Sequence, residues 1–440
     1  MANNNMEPTE EPPIMNVPSF AIRENHNIEF LRSISLREEN SDNYFSGSPS
    51  FTPPRRSNPI ALSAFSLAES QTITPSVHTL QKNNRSTITT YKCILSVLKK
   101  DGQVLSIAIS DGIAYTGSES NVIRVWKLPE FTEYGQLKSK AKMVVAIQVS
   151  NDRVFAAYAD CKIRIWSRRT WDGITKHVRL ATIPKMGGYV LSYISGKDKM
   201  MKHTAPISSL AINLSDDIIY TASLDKTVKV WRISDLKCIE TIQAHSAPIN
   251  AIALWEDGVL YTASDDATVK VWRRNFCRGD RPHALTVTLQ AKYSPVKTLS
   301  LSSEGGILYG GCTDGYIHYW TKGWFSGQLQ YGGPLRGHTH AVMCLTSFAN
   351  LVVSGSADST SRVWVRHQDG VHTCIAVLEG HRGPIRSLAA FQGKVLDESD
   401  QDECIVCTGS MDGVLKVWRV KSPNNTSSKR IGSEYYEVKP

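Results

Sequence analysis

The 440-residue sequence predicts an all-β fold, a seven-bladed β-propeller. Three observations point to it: a phrase that recurs seven times, period-two alternation of apolar and polar residues inside each phrase, and turn residues gathered between the strand-like runs. Each phrase runs from a short β-rich stretch through small residues, in most copies an Asp, and alternating apolar residues to a Trp.

The phrases are YTGSESNVIRVW ending at Trp126, AAYADCKIRIW at Trp166, YTASLDKTVKVW at Trp231, YTASDDATVKVW at Trp272, YGGCTDGYIHYW at Trp320, VSGSADSTSRVW at Trp364 and CTGSMDGVLKVW at Trp418. Successive tryptophans lie 40, 65, 41, 48, 44 and 54 residues apart. Apart from insertions, that is close to the ~40–45 residues of a four-stranded propeller repeat. In Val228-Lys229-Val230-Trp231 the alternation suits a strand, whose successive side chains point to opposite faces.

Ring closure is predicted by LKCIETIQAHSAPI and HTCIAVLEGHRGPI, which precede two repeats, and by the similar YKCILSVLKKDGQV at the start of the array. Tyr91–Leu98 therefore reads as an outer strand with no blade before it, while the last repeat ends after Trp418 without one. Pairing the two removes an open edge that would invite aggregation.

Over roughly 91–420 these residues resemble WD40 repeats. The resemblance implies a buried hydrogen-bonded set in each repeat: a third-strand Trp, a second-strand Ser or Thr, a His before the first strand and an Asp in the turn. Four repeats have all members: His203, Thr221, Asp225, Trp231; His245, Thr262, Asp266, Trp272; His338, Ser354, Asp358, Trp364; and His381, Thr408, Asp412, Trp418. The repeat ending at Trp320 keeps Asp314 but has Gly310 and Tyr293 where Thr and His are expected. That ending at Trp166 keeps Asp160 with Ala156 and no His, and the first has Ser120 in place of Asp. These three blades are expected to lean on apolar packing. No Asp follows any of the tryptophans, so the Trp-Asp-x-Arg pattern of many ubiquitin-ligase substrate receptors is missing. The order of repeats, a Ser/Pro-rich leader and the run RLATIPKMGGYVLSYI also resemble the plant JINGUBANG-like WD-repeat group, which implies a regulator with no assigned catalysis.

Residues 1–88 are rich in Ser, Asn, Pro and Thr and are expected to form a disordered leader; 89–421 form the propeller and 422–440 a flexible tail. Ser48, Thr52 and Thr74 each precede proline and read as candidate phosphosites or as plain linker composition. The first residues lack a secretory pattern and no run approaches the ~20 apolar residues of a membrane helix. Nine cysteines in no repeating spacing suit reduced thiols, so a soluble monomeric propeller in the cytoplasm, the nucleus or both is expected. A net charge of +9 favours acidic partners, RNA or membrane surfaces without selecting among them.

No phosphate loop, dinucleotide fingerprint, zinc-protease helix or nucleophile elbow is present, so no enzyme, cofactor or metal is expected. The His, Asp and Ser/Thr sets resemble hydrolase triads, yet repetition explains them as framework. Cys404-x-x-Cys407 lies in a strand-like run, where the odd separation sends the two thiols to opposite faces.

Two binding surfaces stand out. In WD40 propellers, residues just before the Asp or three after the His face outward where partners dock, which here selects Glu119, Leu224, Asp265, Thr313 and Met411 with Pro206, Pro248, Ala341 and Pro384. A basic insertion at 167–202 between blades two and three carries Arg168, Arg169, Lys176, Arg179, Lys197, Lys199 and Lys202. It suits RNA phosphates, an acidic protein or a lipid headgroup, or is a solvated loop. The expected function is a non-catalytic protein-interaction scaffold or regulatory adaptor. A ubiquitin-ligase adaptor and an RNA or acidic-surface binder are the alternatives.

Overall fold

The structure is a computed structural model describing residues 77–79, 89–141, 143–150, 152–171, 174–184, 202–255, 257–274, 282–292, 294–302, 306–323, 328–392 and 403–421. These residues form seven antiparallel sheets of at least four strands, and no helix among them is long and apolar enough to cross a membrane. The innermost strands, one per blade, are Val104–Ser110, Val144–Ser150, Ile207–Asn213, Ile249–Leu254, Val296–Ser302, Val342–Phe348 and Ile385–Gln392. Each packs against the next, and the seventh returns to the first, so the seven-bladed propeller is a closed ring.

The third blade shows how the local sequence dictates the hairpins. Strand Ile218–Ser223 pairs with Thr227–Arg232, placing Ile218 opposite Arg232 and Thr221 opposite Lys229. Between them Asp225 accepts the Thr227 N–H on Oδ1 at 3.0 Å, an Asx turn that holds the corner. The residue after this Asp takes a left-handed backbone in six blades: Cys161, Lys226, Ala267, Gly315, Ser359 and Gly413. Only two of the six are glycine, so the Asp side chain stabilises a conformation that costs non-glycine residues about 1 kcal/mol or more.

Ring closure follows the pairing expected from the sequence. Thr90–Leu98 runs antiparallel to Val414–Lys421, with Tyr91 opposite Val420, Cys93 opposite Trp418 and Leu98 opposite Val414. Val77–Thr79, inside the segment expected as leader, adds a fifth strand by pairing with Thr90–Lys92. Residues 1–76, 80–88 and 422–440 lie outside the described residues.

The core is divided into seven apolar clusters, each filling the wedge between two adjacent blades. Tyr115, Val125, Tyr158 and Trp166 join the first blade to the second, and Ala114, Trp126, Cys407 and Val417 join the last to the first. Cys404 belongs to a different cluster from Cys407, as their opposite strand faces require. The wedge also demands small residues: a Cβ on Gly355 would lie 2.6 Å from Ile385 Cγ2 and 2.7 Å from Cys344 Sγ. Three wedges carry a polar tie, where a tyrosine hydroxyl meets a histidine Nε2 of the following blade: Tyr115 with His177 at 2.9 Å, Tyr220 with His283 at 3.0 Å, and Tyr309 with His372 at 2.8 Å.

One expectation is corrected by the strands. Ile163–Trp171 and Ile174–Ile183 are the two outer strands of the second blade, paired from Trp171 and Ile174 to Ile163 and Ile183. Arg168, Arg169, Lys176 and Arg179 therefore lie on a hairpin of the blade and not in an inserted loop. A blade needs its fourth strand, and an outermost strand packs on a single neighbour, so polar residues are tolerated along most of its length.

Candidate functional site

A directed hydrogen-bond relay fixes the loop face of each complete blade. In the third, Trp231 Nε1–H donates to Thr221 Oγ1 at 3.0 Å, that hydroxyl lies 2.8 Å from His203 Nε2, and His203 Nδ1 lies 2.9 Å from Asp225 Oδ2. Thr227 Oγ1 also approaches Nδ1 at 3.2 Å, but its own proton goes to Asp225 Oδ1 at 2.6 Å. Nδ1 thus meets acceptors only and carries the proton, which leaves Nε2 to accept from Thr221. The relay runs Trp to Thr to His to Asp, every member both oriented and satisfied.

The same chain of contacts recurs with His245 (2.7 Å to Thr262, 2.9 Å to Asp266), His338 (2.8 Å to Ser354, 2.8 Å to Asp358) and His381 (2.8 Å to Thr408, 3.0 Å to Asp412). Trp272, Trp364 and Trp418 close these three relays on Thr262, Ser354 and Thr408 at 3.0, 3.0 and 2.9 Å. Burial by itself would raise the Asp412 carboxyl, yet His381 and the amides of Arg382 and Val414 overcome it and hold the group at about 2. Asp225 and Asp358 are driven below the usual carboxylate range by the same balance. Thr221, Thr262, Ser354 and Thr408 are fully buried, so these hydroxyls brace the blade where a nucleophile must face substrate.

The incomplete blades use substitutes. Trp126 still donates to Thr116 Oγ1 at 2.8 Å, and Ser120 takes over the turn by accepting the Val122 N–H at 3.1 Å. In the second blade Arg164 grips Asp160 with two nitrogens at 3.0 and 2.6 Å and lies over the Tyr158 ring at 4.2 Å.

These braces position a repeated contact on the loop face. The amide just before each turn Asp, or before Ser120 in the first blade, donates to a carbonyl of the loop entering the same blade. The pairs are Glu119 with Gln103 (3.2 Å), Ala159 with Met143 (3.1 Å), Leu224 with Pro206 (3.1 Å), Asp265 with Pro248 (3.0 Å), Thr313 with Pro295 (3.1 Å), Ala357 with Ala341 (2.9 Å) and Met411 with Pro384 (2.9 Å). The two sets of candidate face residues are thus direct neighbours in the third, fourth and seventh blades, as Leu224 with Pro206, Asp265 with Pro248 and Met411 with Pro384, and all of the candidates are half-buried.

Their side chains are not equally available. Asp265 Oδ1 is held by Lys297 Nζ at 2.5 Å and by Asn250 Nδ2 at 2.7 Å, and Glu119 Oε2 accepts the Gln103 N–H at 3.2 Å. Asn250 and Lys297 are polar residues that the sequence reading missed. Each follows the first apolar residue of an inner strand, after Ile249 and Val296, and this shared register is the available signal.

The basic residues are dispersed. Arg168 binds the Asp111 carboxylate and the Ser110 carbonyl (3.3 Å), tying the second blade to the first. Arg169 and Lys176 face each other across the outer hairpin and are exposed, as is Arg179, which donates to Thr182 Oγ1 at 2.7 Å. Val178 and Leu180 stand beside them, 52% and 50% exposed. Lys202 is exposed next to His203, while Lys197, Lys199, Ser48, Thr52 and Thr74 lie outside the described residues.

Residues 197–232, 236–273, 330–365 and 372–419 match the family described as WD40: WD domain, G-beta repeat. The chain is similar to "Nuclear distribution protein PAC1" of Arthroderma otae, 23% identical over 66% of this chain and 55% of that protein. It is also similar to "F-box/WD repeat-containing protein sel-10" of Caenorhabditis elegans, 32% identical over 29% of this chain and 19% of that one, and to "Cell division control protein 4" of Candida albicans, 37% identical over 20% and 11%. The chain thus spans no more than 55% of the length of these three relatives. Among solved structures, the computationally designed Ika8 protein superposes with a TM-score of 0.50 at 22% identity, covering 72% of this chain and 96% of that one, a likeness of fold.

Proposed function

From a seven-bladed propeller that carries WD40 repeats, we propose that this chain is a non-catalytic protein-interaction scaffold or regulatory adaptor, acting in the cytoplasm or nucleus, that presents its loop face to partner proteins. The observation that carries the reading is the loop-face contact repeated in all seven blades, braced beneath by the relays of the four complete blades. A face held this firmly loses little conformational entropy on docking. Leu224 and Met411 with Pro206, Pro248 and Pro384 supply apolar contact, and the charges of Asp265 and Glu119 are already engaged inside the chain. The Ser/Pro-rich leader and the run from Arg179 to Ile194 support placing the chain with the plant JINGUBANG-like regulators.

The test is affinity capture from native extract with the full chain, with residues 89–421, and with a Leu224→Arg/Met411→Glu variant. Proteins bound by the first two and lost from a variant that still melts cooperatively are the expected result. Equal capture by the variant removes the loop face from the proposal. The F-box/WD relative keeps the ubiquitin-ligase adaptor as a second reading, and recovery of ligase subunits with the full chain is its signature. The exposed Arg169, Lys176 and Arg179 support a third, an RNA or acidic-surface binder. Its signature is binding that weakens steeply with salt.

A further inference from the structure

The fifth blade departs from its neighbours at several framework positions at once, and the replacements converge. Where the third, fourth, sixth and seventh blades have a serine that donates to the entering loop (Ser223, Ser264, Ser356, Ser410), the fifth has Cys312. Two residues before Trp320, where the other blades have Lys or Arg, stands His318. The relay hydroxyl is replaced by Gly310, so Asp314 has lost the partners that the relay gives its counterparts.

Asp314 uses Oδ1 to accept the Tyr316 N–H at 2.9 Å. Its other oxygen, Oδ2, points toward His318 Nε2 at 3.7 Å, too far for a hydrogen bond. His318 is completely buried, and its Nε2 has no hydrogen-bond partner. A buried ring nitrogen in that state carries a desolvation cost that native structures rarely leave uncompensated. The Sγ of Cys312, a carboxylate oxygen of Asp314 and a ring nitrogen of His318 lie within 4.8 Å of one another. On the far side of the ring, Nδ1 lies 2.8 Å from the Tyr331 hydroxyl, the arrangement by which an outer partner fixes the tautomer and leaves Nε2 as the electron-pair donor.

We propose that Cys312, Asp314 and His318 form a binding site for a zinc-type divalent cation on the loop face of the fifth blade. A sulfur, a nitrogen and an oxygen donor suit a borderline-soft ion, with bonds of about 2.3, 2.0 and 2.1 Å respectively. Tetrahedral bonds of those lengths bring donor atoms to roughly 3.5 Å from one another, so the site closes by about 1 Å, chiefly through Asp314 in its exposed turn. The Tyr331 hydroxyl on Nδ1 leaves Nε2 of His318 to coordinate, and the cation displaces the Cys312 thiol proton to solvent. One thiolate and one carboxylate neutralise the dication, and water takes the fourth position. Lys292, whose Nζ lies 5.4 Å from the centre of the Tyr331 ring, is the nearby positive charge that opposes binding.

The experiment is titration of the reduced full chain with Co²⁺ followed by absorption, with Zn²⁺ competition. The expected result is one ion per chain with a thiolate-to-cobalt charge-transfer band that Zn²⁺ bleaches. The band disappears in Cys312→Ser and His318→Gln and persists in Cys374→Ser, which alters an exposed thiol elsewhere. Tyr331→Phe removes only the hydroxyl on Nδ1 and is expected to keep the band while weakening affinity about 10- to 100-fold. Absence of the band in the wild-type chain overturns the proposal, whether or not the variants fold. So does a band that survives Cys312→Ser, or an affinity that Tyr331→Phe leaves unchanged.

Discussion

Replacing Thr221 by Val removes one hydroxyl from the third-blade relay while keeping the side chain's shape. That oxygen accepts from Trp231 Nε1 at 3.0 Å and meets His203 Nε2 at 2.8 Å, so its loss strands one donor and one acceptor. Trp231 and His203 are each 2% exposed, and water cannot replace the contact without opening the blade. At about 1–3 kcal/mol for each stranded buried group, the substitution is expected to cost about 2–6 kcal/mol. Thr116→Val in the first blade is the internal control: Thr116 serves Trp126 alone, at 2.8 Å, and no histidine completes that repeat, so about half the cost is expected. Urea denaturation of wild type and both variants, with unchanged m-values, measures the two costs. A double-mutant cycle with Trp231→Phe should return a coupling of about 0.5–3 kcal/mol. Equal costs for Thr221→Val and Thr116→Val, or a coupling near zero, would refute the relay as a cooperative unit.

Burial and then the Arg366 charge lower His372 to about 4 in the fold, against about 6.5 in the unfolded chain. The native state thus favours the neutral ring. The stabilisation is complete above pH 6.5 and is lost as pH falls toward 4, by about 1–2 kcal/mol after allowance for partial solvation. Melting temperature against pH should flatten over that window in His372→Gln relative to wild type; parallel curves would reject the assignment. Gly355→Ala forces a methyl against Ile385 and Cys344 and should cost about 1–3 kcal/mol in urea denaturation. A chain beginning at Lys99 leaves Val414–Lys421 without its outer neighbour and is expected to associate through that edge, seen as higher mass in light scattering.

The repeats, the period-two runs and the closing strand were legible because each is a local pattern, reinforced by copying. Side-chain partnerships across blades were not. Arg168 reads as part of a basic stretch until the fold brings Asp111, 57 residues earlier, against it. Asp265 reads as an outward charge until Lys297, 32 residues later, claims it. The outer hairpin of the second blade reads as a loop in the sequence because its exposed edge strand alternates weakly. The Cys312, Asp314 and His318 group has no motif in the linear sequence, and only comparison of the blades with one another exposes it.

Closure through Thr90–Leu98 also sets an order of events during synthesis. The Ser96 hydroxyl that bonds Lys416 is separated from it by 320 residues. At ribosomal rates of about 5–20 residues per second, Thr90–Leu98 waits roughly 15–65 s for the partner strand of its blade. Apart from the short Val77–Thr79 beside it, Thr90–Leu98 is the first of the described strands to leave the ribosome and the last to join its blade, and for that interval its free edge is a ready template for pairing with a neighbour on the same message.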